Sequence, residues 1–544
     1  MPAQTSEGRP EPAGETSSQR GGRLARSTAF FSIATGLSRV LGLVREIVAA
    51  RYFGVSGAMS AFTIAFQVPN LVRALFADSA LQGAFVPVFT ELLEQGKKRE
   101  AFHVASSLFF LLTLLLGALT ALFIIFADPL TSLLTTLFAP GFRGDPALRD
   151  LTVGLTRLMF PIVLMLALSG VIVGMLNSFE HFSVPALAPT AWNLVIIGAL
   201  VGLTPLFDGQ DRVYAYAIGV LVGTAVQFLL PLPWLRGRGG HFSLVLDWRH
   251  PQVRKVLKLM LPVTIALGMI NLSLLVNLRF GTLVSEQAPA AIDKAFRIYQ
   301  LPQGLFSISI ATILFPTLAK LAARGATDDL RATMGNGVRQ ISLLLIPSAV
   351  LMAVLAEPIT RLLYEGGEFD AQATDLVTTA LVWWSISLPF QGISLLFSRT
   401  FFSLQRPWAT TALAAVNMVV NASVAFALYK PFGIAGIVIG TVAGTLVMTL
   451  AQGWILRGAL GGIEGARMLA ATLRMLAAAA LLAGVSYGAW YGIDDLLGRS
   501  LPAQVASVGG GVLAGVAAYG AAVWALRVPE ARQLRALLPR RRAS

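Results

Sequence analysis

The chain reads as an all-α polytopic membrane protein of about fourteen transmembrane helices, built as two pseudo-symmetric six-helix lobes plus two C-terminal helices. Three observations lead there. Apolar stretches of about 20 residues recur along the chain, Lys and Arg collect in alternate loops between them, and a weak repeat relates the first six stretches to the next six.

Composition sets the class first. Of 544 residues, 55% are hydrophobic and 13% charged, whereas about a quarter of a soluble domain is charged. Cysteine is absent, which excludes disulfides, thiolate metal sites and cysteine nucleophiles. The formal net charge of +14 does not point to nucleic acid, because the basic residues sit between apolar segments and at the termini rather than along one stripe. Residues 1–26 are rich in Ser, Gly, Glu, Pro and Arg and show no short apolar core followed by a small-residue cleavage site. They read as a disordered cytoplasmic leader before a retained first helix.

At about 20 residues per crossing, spans fall near 27–50, 58–80, 104–127, 152–176, 184–204 and 213–235 in an N-terminal lobe (27–238). A basic connector (239–258, with Arg236 and Arg238 just ahead of it) follows. The C-terminal lobe (259–457) holds spans near 259–284, 296–319, 338–356, 376–400, 409–429 and 433–456. Two further spans, near 468–491 and 502–526, occupy 458–527, and 528–544 form a basic tail.

Positive residues in short loops are retained on the cytoplasmic side during insertion. Arg20, Arg23 and Arg26 precede the first span, Lys97, Lys98 and Arg99 follow the second, and Arg249, Arg254 and Lys255 follow the sixth. Lys320, Arg324, Arg331, Arg457, Arg467, Arg532, Arg535 and Arg540 continue the same side. Opposite loops carry Asp145, Asp150, Asp208, Asp211, Glu365, Glu368, Asp370, Asp494 and Asp495 instead. Both termini are therefore expected in the cytoplasm.

The repeat is carried by short echoes at an offset of roughly 230 residues. Gln67–Asn70 (QVPN) matches Gln300–Gln303 (QLPQ), the Pro87 segment matches that of Pro316, Pro161 matches Pro389, and Asn193 matches Asn417. Six spans per unit is even, so the halves insert in the same sense, an arrangement suited to alternating access.

Charge inside the spans points to function, since each ionised side chain at mid-bilayer costs on the order of 3 kcal/mol. Arg39 and Arg45 lie in the first span, Arg73 and Asp78 toward the end of the second, and Arg297 opens the eighth; Arg279 and Arg399 are further candidates. A guanidinium stays charged and grips two phosphate oxygens at once, so a cavity lined this way prefers an anion such as a diphosphate. The alternative is that these arginines snorkel, or pair with Glu46 and Asp78 to hold helices together.

Pro69, Pro262, Asn271 and Pro302 interrupt spans near these charges, as broken helices at transport sites do. Asn417 and Asn421 share a helix face and fit either a cation site or interhelical hydrogen bonding. Gly436, Gly440 and Gly444 form a ridge for close helix packing. The four histidines, His103, His181, His241 and His250, lack metal-ligand spacing, and no Walker-type loop is present. No cofactor or metal is expected, and the drive would come from membrane potential or a monovalent cation.

Several segments resemble the MurJ (MviN) family of lipid II flippases, in the MOP exporter superfamily. They are SRVLGLVRE at Ser38–Glu46, AFQVPNLVRALFADSALQGAFVPVF at Ala65–Phe89, MLNSFEHFSVPALAPTAWN at Met175–Asn193, FRIYQLPQGLFSISIATILFPTLA at Phe296–Ala319, and LLYEGGEFDA at Leu362–Ala371. The resemblance spans nearly the whole chain after the leader. It implies two six-helix lobes around a cationic cavity and two C-terminal helices forming a groove for a polyprenyl tail, with essential arginines at Arg39, Arg45, Arg73 and Arg297. It also implies lipid II, an undecaprenyl-diphosphate-linked precursor, as substrate, membrane lipids and the cell-wall synthesis machinery as partners, and the bacterial inner membrane as location. Ser60 stands where many relatives carry an acid, a departure that puts a gate needing a carboxylate there in doubt; Ser60 and Asp78 are the supporting or gating candidates. Ala74 replaces the second Arg of a frequent pair. Rival readings are a flippase for another polyprenyl-diphosphate oligosaccharide, a MATE-like antiporter, and a membrane glycosyltransferase; the last needs clustered acids in the first outer loop, and Arg51–Gly57 has none.

Overall fold

The computed structural model describes residues 17–76, 79–179, 181, 183–235 and 242–530. The first lobe comprises α1 (Ser17–Phe53), α2 (Gly57–Phe76), α3 (Ser79–Glu94), α4 (Lys98–Ile125), α5 (Ala127–Phe138), α6 (Pro146–Met159), α7 (Ile162–Ser178), α8 (Ser183–Leu203) and α9 (Tyr214–Leu229). The second comprises α10 (Pro251–Val284), α11 (Ala288–Pro302), α12 (Ile308–Ala323), α13 (Thr327–Val354), α14 (Ala356–Tyr364), α15 (Ala371–Ser403) and α16 (Pro407–Ala459). A hairpin of α17 (Gly465–Leu497) and α18 (Leu501–Ala525) follows.

Among the described residues, ten helices or stacked helix pairs are long and apolar enough to cross a bilayer. The more polar α1, α2 with α3, and α10 add crossings, and α16 is two. At 1.5 Å per residue its 53 residues would reach roughly 80 Å if straight, far beyond a hydrocarbon core of about 30 Å. It folds back at Gly433, whose φ of 55° is left-handed backbone that favours glycine. The returning half packs backbone to backbone: a Cβ on Gly436, Gly440 or Gly444 would lie within 3 Å of Leu428, Asn421 or Asn417 main chain, so the small-residue ridge seats the two halves together.

Helix starts follow local chemistry. Asp145 accepts the Leu148 amide at 3.1 Å ahead of α6, and Asp370 accepts that of Ala373 at 2.8 Å ahead of α15, each satisfying a donor left free in a first turn. Pro146, Pro251 and Pro407 open helices, where a missing N–H is harmless.

Three boundaries differ from expectation. Helix α1 begins at Ser17 and takes in the last ten residues of the expected leader; the span expected at 58–80 is followed by α3 reaching Glu94; and α10 starts at Pro251, inside the expected connector. At α1 and α10 a polar stretch extends a helix past its apolar segment, where water or neighbours satisfy its surface, whereas α3 is itself apolar and buries Phe85, Val88, Phe89 and Leu92. The rest of the connector described, 242–250, lies along α4: the Ser243 amide donates to Ser106 Oγ at 3.2 Å, and His103 meets Asp247 at 3.3 Å.

The lobes join through α2 and α3 against α10 and α11, with Met59 and Phe62 in one continuous core with Ala291, Ala295 and Ile298. They also close at the end where α1 turns into α2. There the Glu368 amide donates to the Arg51 carbonyl at 2.9 Å, and Gly54 and Gly367, with φ of 55° and 64°, admit this approach. The hairpin attaches to the second lobe. Arg361 of α14 binds Asp494 at 2.7 Å, Arg339 of α13 binds Glu464 at 2.6 Å and also Glu530, and Tyr519 donates to the Leu343 carbonyl at 3.0 Å.

Candidate substrate site

A cavity of about 450 Å³ lies between the lobes. Arg45, Gln67, Asn70, Trp192 and Gln227 face it from the first lobe, and Asn277, Asp293, Arg297, Gln300 and Trp384 from the second. Gln67 and Gln300, related by the internal repeat, thus meet across one hollow. A smaller adjoining chamber of about 50 Å³ adds Glu46 and Tyr216 to its walls.

Arg45 is held in three ways. Its Nη1 donates to Asn193 Oδ1 at 3.1 Å, its Nη2 donates to Glu46 Oε1 at 2.6 Å, and its guanidinium lies 4.7 Å from the centroid of the Trp192 ring. These supports are themselves fixed. Asn193 Nδ2 donates to the carbonyls of Ser38 and Pro189 at 3.2 and 3.0 Å, and the Trp192 indole donates to Thr224 at 3.1 Å. A cation clamped by hydrogen bonds and an aromatic face needs little reorganisation to receive an anion.

From α11, Arg297 pairs with Asp293 one turn earlier at 3.2 Å, helical i,i+4 geometry. Between them Lys294, 0% exposed, reaches Glu46 Oε2 at 2.9 Å, and Tyr216 donates to Glu46 Oε1 at 3.4 Å. Arg45, Lys294 and Arg297 against Glu46 and Asp293 leave the site one positive charge in excess. Unpaired buried charge is strongly destabilising, so each carboxylate here keeps a cation in place inside an apolar bundle. What remains over is an attraction for an anion.

The expected residues are only partly united. Arg45 and Arg297 share the cavity, each with one acid partner. Arg39 is exposed and lies outside the cavity lining, against Gly304 in the π-helical turn Gln303–Ser307 of the second lobe, where an added Cβ would meet its Nη1 at 2.5 Å. The backbone places Arg73 in α2; Asp78 lies outside the described residues. Ser60, fully buried, accepts the Ala290 amide at 3.2 Å, tying α2 to the start of α11. Arg279 donates to the Leu137 carbonyl and Arg399 lies over Phe315 at 5.2 Å, both away from the hollow. Asn421 donates to Ser273 at 3.0 Å and Asn277 at 3.1 Å, and accepts from Thr441 at 3.4 Å; Asn417 sits one turn earlier, its carbonyl against Gly444.

Asp293, Lys294, Trp192 and Gln227 are not singled out by the sequence, which marks Gln67 and Gln300 only as part of the repeat. The first two fall just ahead of the eighth span as drawn, where charges look like loop residues. The placement of Asp293 four residues, and Lys294 three, before Arg297 on one helix was the available signal.

Fold and site together define a multi-pass membrane transporter with two lobes around a cationic central cavity. The same architecture occurs in a MATE-family multidrug transporter of the MOP superfamily in an inward-facing conformation, at a TM-score of 0.65 and 16% identity, covering 78% of this chain and 94% of that one. It occurs also in a lipid II flippase MurJ in an inward closed conformation, at a TM-score of 0.74 and 24% identity over 91% and 99% of the two chains. The family described as lipid II flippase MurJ matches residues 49–494. The lipid II flippase MurJ of Burkholderia cenocepacia is 34% identical over 67% of this chain and 70% of its own length, and a probable lipid II flippase MurJ of Rhizobium meliloti is 30% identical over 92% and 94%. This chain belongs to the lipid II flippase MurJ family. It is a multi-pass protein of the bacterial inner membrane and a transporter, not an enzyme.

Proposed function

We propose that the protein moves lipid II from the cytoplasmic to the outer leaflet by alternating access, its diphosphate received between Arg45 and Arg297. The observation that carries this reading is the interlobe hollow with an excess positive charge. A guanidinium fork matches phosphate oxygens, while Gln67, Asn70, Gln227 and Gln300 offer hydrogen bonds to a polar head group. With the termini in the cytoplasm, the end where Glu368 binds Arg51 is the outer face, and closure there leaves the site to load from inside. Arg39 and Arg73, lower on α1 and α2, lie on the path by which an anion would enter. The tail stays in lipid beside α17 and α18. Tilting of the lobes then exposes the head group outside, driven by membrane potential or a monovalent cation.

The test is depletion of the protein in cells carrying a probe for externally exposed lipid II, with complementation by Arg45→Ala, Arg297→Ala and Arg39→Ala. Loss of exposure with normal membrane levels supports the reading. Full exposure with both cavity variants overturns it.

A further inference from the structure

Lys294 contributes to the positive excess of the site without facing the hollow. It lines neither chamber. Its ammonium reaches from the second lobe into the first, to Glu46 Oε2 at 2.9 Å and the Glu46 carbonyl at 3.3 Å, and it lies 5.6 Å from the Tyr364 ring centroid. The other oxygen of the same carboxylate, Oε1, accepts from Arg45 at 2.6 Å. One carboxylate is therefore divided between a cation that faces the cavity and a cation that does not, and the two come from opposite lobes.

We propose that Lys294 is a positioning residue that, by occupying Glu46, sets how much of the Arg45 charge the cavity presents, and that parting of the lobes at this end withdraws that charge. The inference rests on the reading of the hollow as a diphosphate site. While the lobes are together, Arg45, Glu46 and Lys294 sum to one positive charge. When α11 moves off with the second lobe, Lys294 goes with it, and the Arg45–Glu46 pair left on α1 is neutral. Both remaining carboxylate oxygens are then available to Arg45, a bidentate pairing its fork favours. The movement that exposes the head group thus also weakens the wall that held it. A ligand drives a conformational equilibrium only through its different affinities for the two states, and Lys294 supplies such a difference.

The probe is undecaprenyl diphosphate, and binding to the purified full-length protein in detergent is read by native mass spectrometry. Lys294→Met is expected to weaken binding about tenfold, within the roughly 5- to 150-fold range of such couplings, and Lys294→Arg to keep it. Glu46→Gln, which adds one positive charge to the sum, should bind tighter than the wild type, and Glu46→Gln combined with Lys294→Met should return to the wild-type level. That restoration separates charge setting from mere structural support, which a second substitution would not repair. If Lys294→Met does not fold, Glu46→Gln and the double variant carry the test alone. The proposal is overturned if Lys294→Met binds like the wild type, if the double variant binds as weakly as Lys294→Met, or if Glu46→Gln binds no tighter than the wild type. Should Arg45→Ala and Arg297→Ala also bind undiminished, it is the diphosphate site itself that fails.

Discussion

The amide of Glu368 donates to the carbonyl of Arg51 across the lobe boundary at 2.9 Å, a main-chain bond between the last turn of α1 and the loop after α14 that is within reach only because Gly54 and Gly367 lack side chains. A Cβ on Gly54 would stand 2.3 Å from the Glu368 carbonyl oxygen, and one on Gly367 2.3 Å from that of Arg51. Arg212 adds an ion pair to Glu368 at 3.4 Å, which at this exposure contributes about 0–1 kcal/mol.

Gly54→Ala or Gly367→Ala should therefore loosen this closure, by about 1–2 kcal/mol from the left-handed backbone alone. Because the chain contains no cysteine, Glu368→Cys gives a single reporter. Its labelling by a membrane-impermeant maleimide should rise several-fold when either glycine is replaced. Unchanged labelling would mean that this contact does not hold the lobes together.

Arg45→Lys should fail as a substitute although it keeps the charge. An ammonium cannot at once reach Asn193 and Glu46 and lie flat over Trp192. Losing one charge-assisted hydrogen bond, about 1.5–3 kcal/mol, predicts at least a roughly tenfold fall in diphosphate binding, measured beside a melting curve that shows the fold intact. Asn193→Ala, which frees one arm of the guanidinium, should move binding in the same direction by less.

Asn421→Ala strips the partner of Ser273, Asn277 and Thr441. Asn277 keeps its bond to Thr441 at 3.1 Å but its side-chain oxygen loses its donor inside the bundle, which should lower stability by about 1–3 kcal/mol, read as a fall in Tm in detergent. The expected fall is equal in sodium and potassium. A fall confined to one of them would instead mark Asn417 and Asn421 as a cation site.

Glu464 predicts a pH dependence. Its hydrogen bond from Arg339 holds the carboxyl below its ordinary range, helped by the charge of Arg339 and by Arg467. A carboxylate with a lowered folded pKa adds stability that is fully present above its unfolded pKa and lost as pH falls through the folded value. Acidification from neutral to below the ordinary carboxylate range should thus loosen the attachment of α17. Glu464→Gln should remove that part of the acid sensitivity, and Arg339→Ala should cost about 2 kcal/mol at neutral pH by leaving Glu464 and Glu530 facing each other. Asp247, lowered by its hydrogen bond from His103, follows the same sign at the connector.

The crossings and their grouping were legible because a bilayer imposes one length and one polarity on every span, and that regularity survives in the residues. The Gly433 break was legible too, between spans drawn to end at 429 and resume at 433. Helix ends were less so: Ser17–Arg26 and Pro251–Lys258 are polar yet helical, and polarity alone cannot separate a helix leaving the membrane from a loop. Arg45 and Arg297 could be picked from the energetic penalty of burying charge. Their partners could not, since whether Arg45 faces Glu46 or Asp78, and whether Lys294 points to water or across to α1, depends on how helices nearly 250 residues apart are rotated against each other. Arg39 shows the limit of that reasoning: its burial was inferred from its place in a span, whereas its surroundings are an opening beside Gly304.

The hairpin of α17 and α18 is fastened at both of its ends, near Asp494 and near Glu464 and Glu530, to α13 and α14. A rod pinned at two separated points can neither swing nor slide against its support. For all its helices, the molecule therefore has two moving parts rather than three, and whatever rests along the last pair travels as cargo of the second.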